Sequence, residues 1–450
     1  MAAEDQPIHP PAREVIYRAR PHQLRVLNSR KKLVFMGGGV GSGKTDVGSL
    51  WALGKAAATP PGVLGLVAAN SYTQLVDSTL RNLYKNWTTW GVDLEPATLP
   101  RRSDPWNLAV HTGRGRVEIL CRSLESYQML AGVELGWAWL DECFLARREA
   151  VDLILARLRD RRMAGQVLLT TTLDEPGSWL HQMFVENFDP ALMDVFYATT
   201  YDNQANLPPG YIEGLQAAYP RQLFQRMVLA KWVALGGESI YYNFARAAHV
   251  REDAEFEPQR DLLWALDFNI GRGKPMSSCL AQIRPGRDAA GRVRPELVVF
   301  DEIILETADT GQAVTEFQAR PWLRELAGRV RIYGDASGHA RDTRSRVTDY
   351  AILREAGFPD QRVPARNPPL RDRHNAVNAL LKNAAGDVRL SVHPRCRVLI
   401  QGLESVRLKQ GADYLEEETF AQHVTTALGY LICREFPLAR ATTSFFEAKL

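Results

Sequence analysis

Residues 31–45 read KKLVFMGGGVGSGKT, and this stretch decides the fold of the first half of the chain. Its end fits the pattern G-x-x-x-x-G-K-[S/T], with Gly38, Gly43, Lys44 and Thr45 in the fixed positions. The glycines let the backbone fold around a phosphate with its N–H groups pointing inward. An apolar strand precedes the motif and a helix is predicted from Thr45 onward, so an anion would lie at a helix N-terminus, where anions are stabilised. This context favours a phosphate-binding loop over an accidental glycine-rich turn.

The loop residues have distinct predicted roles in binding a nucleotide. Lys44 supplies positive charge to the β- and γ-phosphates, and Thr45 offers its hydroxyl to Mg²⁺. The remaining positions shape the loop and present backbone N–H groups to the phosphates. The loop residues predicted to bind ATP are Gly38, Gly41, Ser42, Gly43, Lys44 and Thr45.

A second apolar strand, Gly136–Leu140 (GWAWL), ends in two carboxylates, Asp141 and Glu142. A strand that delivers two acids to its carboxyl end is typical of a Walker B segment. Asp141 is predicted to help Thr45 to hold Mg²⁺, and Glu142 to orient or deprotonate the attacking water. For the pair alone, an acidic strand end without function is the alternative. The preceding P-loop favours the functional interpretation.

Two further polar segments are weaker signals for the same site. Val167–Thr172 (VLLTTT) ends in hydroxyls, and a polar residue there can sense the γ-phosphate; a plain β-rich threonine run is an equal alternative for any single threonine. Upstream, Arg20 and Gln23 precede a helical run into the first strand. We predict that this pair recognises adenine by hydrogen bonds to its edge, with helix capping as the alternative.

The order of predicted elements assigns a fold class to each half of the chain. The first half alternates strands with helical patterns, as a mostly parallel sheet requires. The second half reads β-β-β-α-β-α-β-α and closes with a long helix, which is the order of a ribonuclease-H-like fold. The predicted class is therefore α/β, with a P-loop (RecA/ASCE-like) NTPase domain followed by a ribonuclease-H-like α/β nuclease domain. The predicted boundaries are 1–235 for the first domain, 236–258 for a linker and 259–450 for the second domain.

Two aspartates of the second half follow strands that should be neighbours. Asp267 ends LLWALD, and Asp335 follows RVRIYG. In a ribonuclease-H-like sheet the first and fourth strands are adjacent and parallel, so both carboxylates should emerge at one edge. Unpaired carboxylates there repel each other and favour divalent cations. Two such ions about 3.5–4 Å apart would clamp the attacking and leaving oxygens of a phosphodiester. The alternative for either aspartate alone is that it starts a turn.

The closing helix should add a third polar ligand to this site, and His423 is the candidate. Three neighbouring glutamates lie at positions 416–418. Asp301 and Glu302 on the third strand are a further possibility, although a solvated strand end is the favoured interpretation for them.

Composition limits the class of protein without identifying it. The 450 residues are 45% hydrophobic and 24% charged, with a formal net charge of +3. This charge is too small to indicate nucleic-acid binding. No apolar run approaches the roughly 18 residues of a membrane span, and the acidic, Pro-rich start does not resemble a secretion signal. The five cysteines form no CxxC pair, so neither a zinc site nor a disulfide framework is indicated.

In this order, the motifs resemble those of phage terminase large subunits, the motors that pump DNA into capsids and cut it. The resemblance covers nearly the whole chain. It depends on Gln23, GGVGSGKT, WLDE at 139–142, LLTTT, LDFNIG at 266–271, YGDASG at 333–338, HPRC at 393–396 and QHVTTALGYLI at 422–432. It implies that Lys44, Thr45, Asp141 and Glu142 bind and hydrolyse ATP, and that Asp267 and Asp335 bind Mg²⁺ or Mn²⁺ for nuclease activity.

The chain departs from the family pattern in two places. An L-R-G segment that often carries a trans-acting arginine reads Leu130-Ala131-Gly132 here, so Arg101, Arg102 or Arg122 would have to serve instead. The H-x-x-D-A pattern of the last helix has Thr426 in the aspartate position. A threonine cannot replace a carboxylate as an equally strong metal ligand, so either His423 and a nearby glutamate complete the site or the nuclease is weaker.

The resemblance predicts an ATP-driven translocase of double-stranded DNA with a metal-dependent endonuclease, acting in the host cytoplasm. Expected partners are a portal protein, a small terminase subunit and further copies of this chain in a ring on the portal, with a monomer in solution. Two alternatives stay open. One is a helicase–nuclease of repair or defence. The other is an ATPase whose nuclease fold has become a DNA clamp.

Overall fold

The computed structural model describes residues 18–99, 106–234, 239–269, 274–288, 290–339, 347–409 and 414–438. These residues form two compact units. The first unit comprises the described residues up to 209 together with 225–233, and the second comprises 210–224 and the described residues from 234 onward. Within the described ranges, no helix is long and apolar enough to span a bilayer.

The first unit is built on an eight-stranded sheet in the order β3-β4-β5-β2-β6-β7-β1-β8. Six strands, from β5 to β8 in this order, are parallel, whereas β3 and β4 add an antiparallel edge. The strands are β1 (Leu33–Gly38), β2 (Leu64–Ala69), β3 (Leu94–Glu95), β4 (Trp106–Thr112), β5 (Gly115–Ser123), β6 (Leu135–Asp141), β7 (Gln166–Thr171) and β8 (Met193–Ala198). All six predicted strands of this half are confirmed, and the antiparallel edge was not predicted.

Helices connect these strands along the chain. They are α1 (Pro21–Asn28), α2 (Lys44–Ala58), α3 (Tyr72–Gln74), α4 (Arg81–Thr89), α5 (Arg148–Arg157), α6 (Trp179–His181), α7 (Tyr211–Ala218) and α8 (Arg221–Met227). A π-helical segment, Leu75–Leu80, joins α3 to α4 and makes one continuous helical path. α7 and the first residues of α8 lie in the second unit, and α8 ends in the first.

The second unit contains a five-stranded sheet in the order β12-β9-β10-β11-β13. β10 is antiparallel to both neighbours, β12 is parallel to β9, and β13 is parallel to β11. The strands are β9 (Leu262–Asp267), β10 (Met276–Arg287), β11 (Val293–Leu305), β12 (Val330–Tyr333) and β13 (Leu390–Val392). The helices are α9 (Arg246–His249), α10 (Thr310–Gln318), α11 (Asp349–Glu355), α12 (Leu370–Leu381), α13 (Arg397–Ser405) and α14 (Gln422–Glu435).

The predicted adjacency of the first and fourth strands of this unit is confirmed, because β9 and β12 pair in parallel. The strand that this order predicts between α11 and α12, near Arg362, is wrong as a strand: the structure has one bridge there, between Ile332 and Gln361. β13 and α13 were not predicted. The segment assigned to a linker contains Ile240 and Tyr241, which are buried in the core of the second unit. The domain boundaries themselves stay a prediction.

Successive side chains of β9 point to opposite faces of the sheet, and each face packs against its own part of the core of this unit. Leu263 and Ala265 pack on one face, where α12, α13 and α14 contribute the other side of the core. Trp264 packs on the opposite face with residues of α10 and α11. Since side chains alternate along a strand, Asp267 has the same phase as Leu263 and Ala265. The carboxylate of Asp267 is therefore directed to the face that α14 covers.

Candidate nucleotide and nuclease sites

The P-loop has the backbone geometry that its glycines permit. Gly41 and Gly43 have φ angles of 70° and 85°, in the left-handed region that favours glycine. A Cβ atom on Gly38 would lie 2.5 Å from Oγ of Ser42, so a side chain at this position would collide with the loop. α2 begins at Lys44, directly after Gly43. The loop thus meets a helix N-terminus, as the motif predicts.

Lys44 and Glu142 form an ion pair with 2.8 Å between Nζ and Oε1, and only 6% of Lys44 is exposed. The second carboxylate oxygen of Glu142 accepts hydrogen bonds from the N–H and the hydroxyl of Thr172, both at 3.2 Å. Glu142 has a φ of 48°, a backbone conformation that costs a non-glycine residue about 1 kcal/mol or more. The surrounding contacts therefore hold a strained residue at the end of β6.

Asp141 is fully buried and accepts hydrogen bonds from threonine hydroxyls. Thr79 and Thr170 donate at 2.9 and 2.7 Å, and Thr45 lies at 3.5 Å. Burial, together with the charge of Glu142, raises the pKa of Asp141 to about 6. A buried carboxylate with a raised pKa beside a P-loop threonine fits a divalent cation, which would supply the charge compensation that the hydroxyls do not.

Several side chains fix the P-loop from outside the motif. Asn203 donates to the carbonyl of Gly41 at 2.6 Å, and Thr200 donates to that of Val40 at 2.8 Å. Gln23 accepts from the N–H of Arg20 at 3.0 Å and donates to the carbonyl of Gly43 at 3.3 Å. Gln23 therefore contacts the loop backbone and caps α1. Its predicted role in adenine recognition stays a prediction.

In the second unit, the pairing of β9 and β12 places the two aspartates side by side. Val330 pairs with Leu262 and Tyr333 with Ala265. Continued for two more residues, this register sets Asp335 opposite Asp267. Burial and the charge of Asp267 raise the pKa of Asp335, as expected for two carboxylates that face each other. The predicted convergence of these two residues is therefore found.

His423 lies at the same edge, with 2.9 Å between its Nδ1 and Oδ2 of Asp267. Asn269 donates to the same carboxylate oxygen at 2.6 Å, and Ser337 donates to Asp335 at 2.8 Å. The Nε2 atom of His423 is buried, and the residues that the structure describes offer it no hydrogen-bond partner. Two facing carboxylates with an adjacent imidazole are a suitable donor set for a divalent cation. Nevertheless, among the described residues no group of three or more His, Cys, Asp or Glu side chains is arranged to hold a metal ion.

Comparison with known proteins identifies the first part of the chain. Residues 35–247 match the family model described as the N-terminal part of the terminase large subunit, T4likevirus-type. These residues are similar to the N-terminal part of terminase large subunits. No curated protein sequence matches the chain.

The whole chain has the fold of solved large terminases. A large terminase from a thermophilic bacteriophage has a TM-score of 0.64 and 18% identity, covering 93% of this chain and 99% of its own. Structures of that protein with ADP and with ATP-γ-S each have a TM-score of 0.63 and 17% identity, covering 92% of this chain and 98% and 99% of theirs. A terminase ATPase fold followed by a ribonuclease-H-like nuclease fold is therefore the architecture of this chain.

Other acids considered for the terminase nuclease site have structural partners. Asp301 is buried and accepts a hydrogen bond from the indole of Trp322 at 3.2 Å. Glu302 accepts from the N–H groups of Val398 and Leu399 at 2.9 and 2.8 Å, and so caps α13. The interpretation of this pair as a solvated strand end is wrong, because Asp301 is buried and Glu302 is half-buried at a helix N-terminus, where the free N–H groups stabilise its carboxylate.

Thr426, the residue in the usual aspartate position, takes part in a buried network with Glu416. Gln422 donates to the hydroxyl of Thr426 and to Oε2 of Glu416, both at 2.8 Å. Glu416 also pairs with Arg373 at 2.8 Å and with His374 at 2.6 Å. Burial raises the pKa of Glu416, but the His374 hydrogen bond and the Arg373 charge outweigh it and lower the pKa to about 2. Its charge is therefore balanced by protein groups.

We expect Glu416→Gln to lower the free energy of unfolding of the second unit by about 3–5 kcal/mol at pH 7, because Arg373 would stay buried without its anion. The depressed pKa contributes stability that is present above pH ~4.5 and is lost as the pH falls towards 2. The difference between variant and wild type should therefore shrink across that window. Urea unfolding at pH 7 and at about pH 3 measures it.

Glu418→Gln is the matched control for this experiment. Glu418 lies two residues away and forms an exposed ion pair with Lys274. Solvent screens such exposed pairs, so this one should contribute little to stability. Equal stability losses for the two variants at pH 7 would contradict the role given to Glu416.

Of the candidates for a trans-acting arginine, only Arg122 lies within the described residues, and it does not contact the candidate nucleotide site. Arg101 and Arg102 lie outside the described residues. Arg122 donates to the carbonyl of Cys121 and to Oδ1 of Asn107, both at 2.9 Å, so its guanidinium is bound within its own sheet. A trans-acting arginine is therefore not assigned.

Some residues of the candidate nucleotide site belong to no sequence motif. Thr79, Thr200 and Asn203 contact Asp141 or the P-loop from segments that are distant in sequence. Trp139 donates to Oγ1 of Thr170 at 2.8 Å and orients the hydroxyl that Asp141 accepts. Of these, only Trp139 and Thr170 lie in segments that the sequence had marked. The tertiary fold brings the other residues to the site, and the sequence around them contains no motif that would have predicted this.

Proposed function

We propose that this chain is the ATP-hydrolysing and DNA-cutting large subunit of a terminase, which uses ATP to move viral double-stranded DNA into a procapsid. The observation that carries the proposal is the convergence of Lys44, Thr45, Asp141 and Glu142 at one end of a parallel sheet. A fold of this family with these groups together is suited to binding Mg²⁺-ATP and activating water.

In the proposed ATPase, the P-loop N–H groups and Lys44 bind the phosphates, while Thr45 and Asp141 hold the Mg²⁺ ion. The metal, when bound, neutralises charge that develops on the phosphoryl oxygens. Glu142 orients the attacking water and accepts its proton. Since Lys44 pairs with Glu142 in the structure, binding of the triphosphate gives the lysine a stronger partner and frees the carboxylate for the water.

In the proposed nuclease, Asp267 and Asp335 hold the divalent ions, Mg²⁺ or Mn²⁺, and His423 lies beside them. Metal ions bound there would clamp both oxygens of the scissile phosphodiester. Asn269 and Ser337 fix the orientation of the two carboxylates. We propose that partners are double-stranded DNA, a portal protein, a small terminase subunit and further copies of this chain in a ring, and that the protein acts in the host cytoplasm.

Assays on the purified chain test the proposal as a whole. We expect ATP hydrolysis that linear duplex DNA stimulates, and displacement of a triplex-forming oligonucleotide from that duplex. We expect no separation of the duplex strands. Strand separation would instead indicate a helicase–nuclease, and ATP hydrolysis that is indifferent to DNA would contradict the motor function.

A second candidate function has two observations in its favour. Thr426 replaces a carboxylate, and the described residues include no three-ligand metal cluster. This favours an ATPase whose nuclease fold serves as a DNA clamp. Plasmid nicking in Mn²⁺ decides between the two functions, because a clamp would bind the plasmid without cutting it even at high protein concentration.

A further inference from the structure

Arg226, near the end of α8, has only 4% of its surface exposed. Its Nε donates to the carbonyl of Leu173 at 2.8 Å, and its Nη2 donates to Oδ1 of Asp174 at 3.0 Å. A buried guanidinium is costly unless such bonds satisfy it. Arg226 therefore fixes the first residues after β7 in one position.

The segment that Arg226 holds is directly continuous with the residues that contact Glu142. Thr172 precedes Leu173, and its N–H and hydroxyl both donate to Oε2 of Glu142 at 3.2 Å. Because Thr172 and Leu173 share a peptide bond, a displacement of the Leu173 carbonyl changes the direction of the Thr172 donors. Arg226 thus reaches the proposed water-activating carboxylate through two consecutive residues, Leu173 and Thr172.

The two residues that follow Arg226 contact the P-loop and Thr200 through their backbone carbonyls. The carbonyl of Met227 accepts from the N–H of Val40 at 2.7 Å, and that of Val228 accepts from the N–H of Thr200 at 2.8 Å. A Cβ atom on Gly39 would lie 2.6 Å from the Val228 carbonyl oxygen, so the contact is close. Three consecutive residues therefore connect the P-loop to the end of the threonine strand.

We propose that Arg226 is a positioning residue for ATP hydrolysis, which aligns Glu142 through Leu173 and Thr172 and links this alignment to the P-loop and to α8. The inference rests on the proposed ATPase function. The role predicts an effect on the rate of hydrolysis rather than on nucleotide affinity.

Arg226→Gln in the full chain tests this role. We expect kcat for ATP hydrolysis to fall at least about tenfold, because a misplacement of about 1 Å can cost up to about a hundredfold in rate. KM for ATP and the Kd of ADP should stay within about threefold of wild type. Steady-state kinetics and equilibrium titration with ADP measure the two quantities, and thermal unfolding monitors the fold.

Three companion variants separate positioning from general damage. Arg226→Lys retains a charge that can reach one of the two acceptors and should give an intermediate kcat. Asp174→Asn weakens the same contact while the arginine is retained, so it should also lower kcat. This variant tests the role even if Arg226→Gln does not fold. Arg157→Gln, the matched control, removes a guanidinium that binds the backbone carbonyl of Ala131 in the same unit, and should leave kcat unchanged.

The kinetic results distinguish a failure of the inference from a failure of the proposed function. A kcat of Arg226→Gln within twofold of wild type, or an equal loss of ADP affinity and kcat, overturns the inference alone. Absence of ATP hydrolysis in the wild-type chain overturns the proposed function and the inference together.

Discussion

Lys44→Ala should abolish ATP turnover, with a loss of at least about a hundredfold, while DNA cleavage by the same chain stays measurable. Lys44 is the buried cation that faces both the P-loop and Glu142. Removing a preorganised cation from a water-excluded phosphoryl-transfer site costs several kcal/mol of transition-state stabilisation. Release of inorganic phosphate and nicking of a supercoiled plasmid in Mn²⁺ measure the two activities on one preparation.

Lys55→Ala is the control for this prediction. Lys55 lies towards the other end of the same helix, with its Nζ 5.1 Å from the ring centroid of Trp51. Its removal costs about 0.5–1 kcal/mol of cation–π interaction and should leave turnover unchanged. If Lys44→Ala kept more than a tenth of the hydrolysis rate, or lost cleavage as well, the assignment of two separate sites would be wrong.

Asp335→Asn should have the opposite effect, with cleavage lost by at least about a hundredfold and ATP hydrolysis retained. The neutral amide removes one of the two facing charges that attract a divalent cation. The same change relieves the repulsion between the two carboxylates, so the variant should be at least as stable as wild type. Plasmid cleavage, ATP hydrolysis and thermal unfolding measured together check all three expectations.

Asp301→Asn provides a matched comparison for Asp335→Asn. Both aspartates are 8% exposed and lie in or beside strands of the same sheet, but Asp301 is bound to Trp322. Asp301→Asn should lower the free energy of unfolding, but the molecules that remain folded should still cleave DNA. Cleavage by Asp335→Asn at the wild-type rate in both Mg²⁺ and Mn²⁺ would contradict the assignment of Asp335 to the nuclease site.

Much of both sites was predictable because their residues follow strands. The P-loop is one contiguous motif and the acids at the end of β6 are another, and the known use of two such motifs around one nucleotide predicted that Lys44 and Asp141 lie near each other. Asp267 and Asp335 are far apart in sequence, but the order of elements predicted that their strands would be parallel neighbours, and the register places them opposite each other. In each case a rule of sheet topology connected the residues.

The remaining contacts depend on packing between segments with no shared pattern. Thr79 reaches Asp141 from a π-helical segment that helical periodicity does not distinguish from an ordinary helix. Arg226 appears in the sequence as one of many arginines on short helices. The partners of Glu416 lie on α12, so a carboxylate that could have been a metal ligand is instead neutralised by a cation that only the tertiary fold brings to it.

The hydroxyl groups around the two Walker B acids have a consequence for repeated turnover. Thr45, Thr79 and Thr170 surround Asp141, and Thr172 binds Glu142. A hydroxyl proton rotates freely between donating and accepting arrangements, whereas a charged side chain must move its heavy atoms to change partner. In the proposed ATPase, these hydroxyl protons can therefore turn between the carboxylates and a bound ligand with little movement of the heavy atoms of the surrounding core.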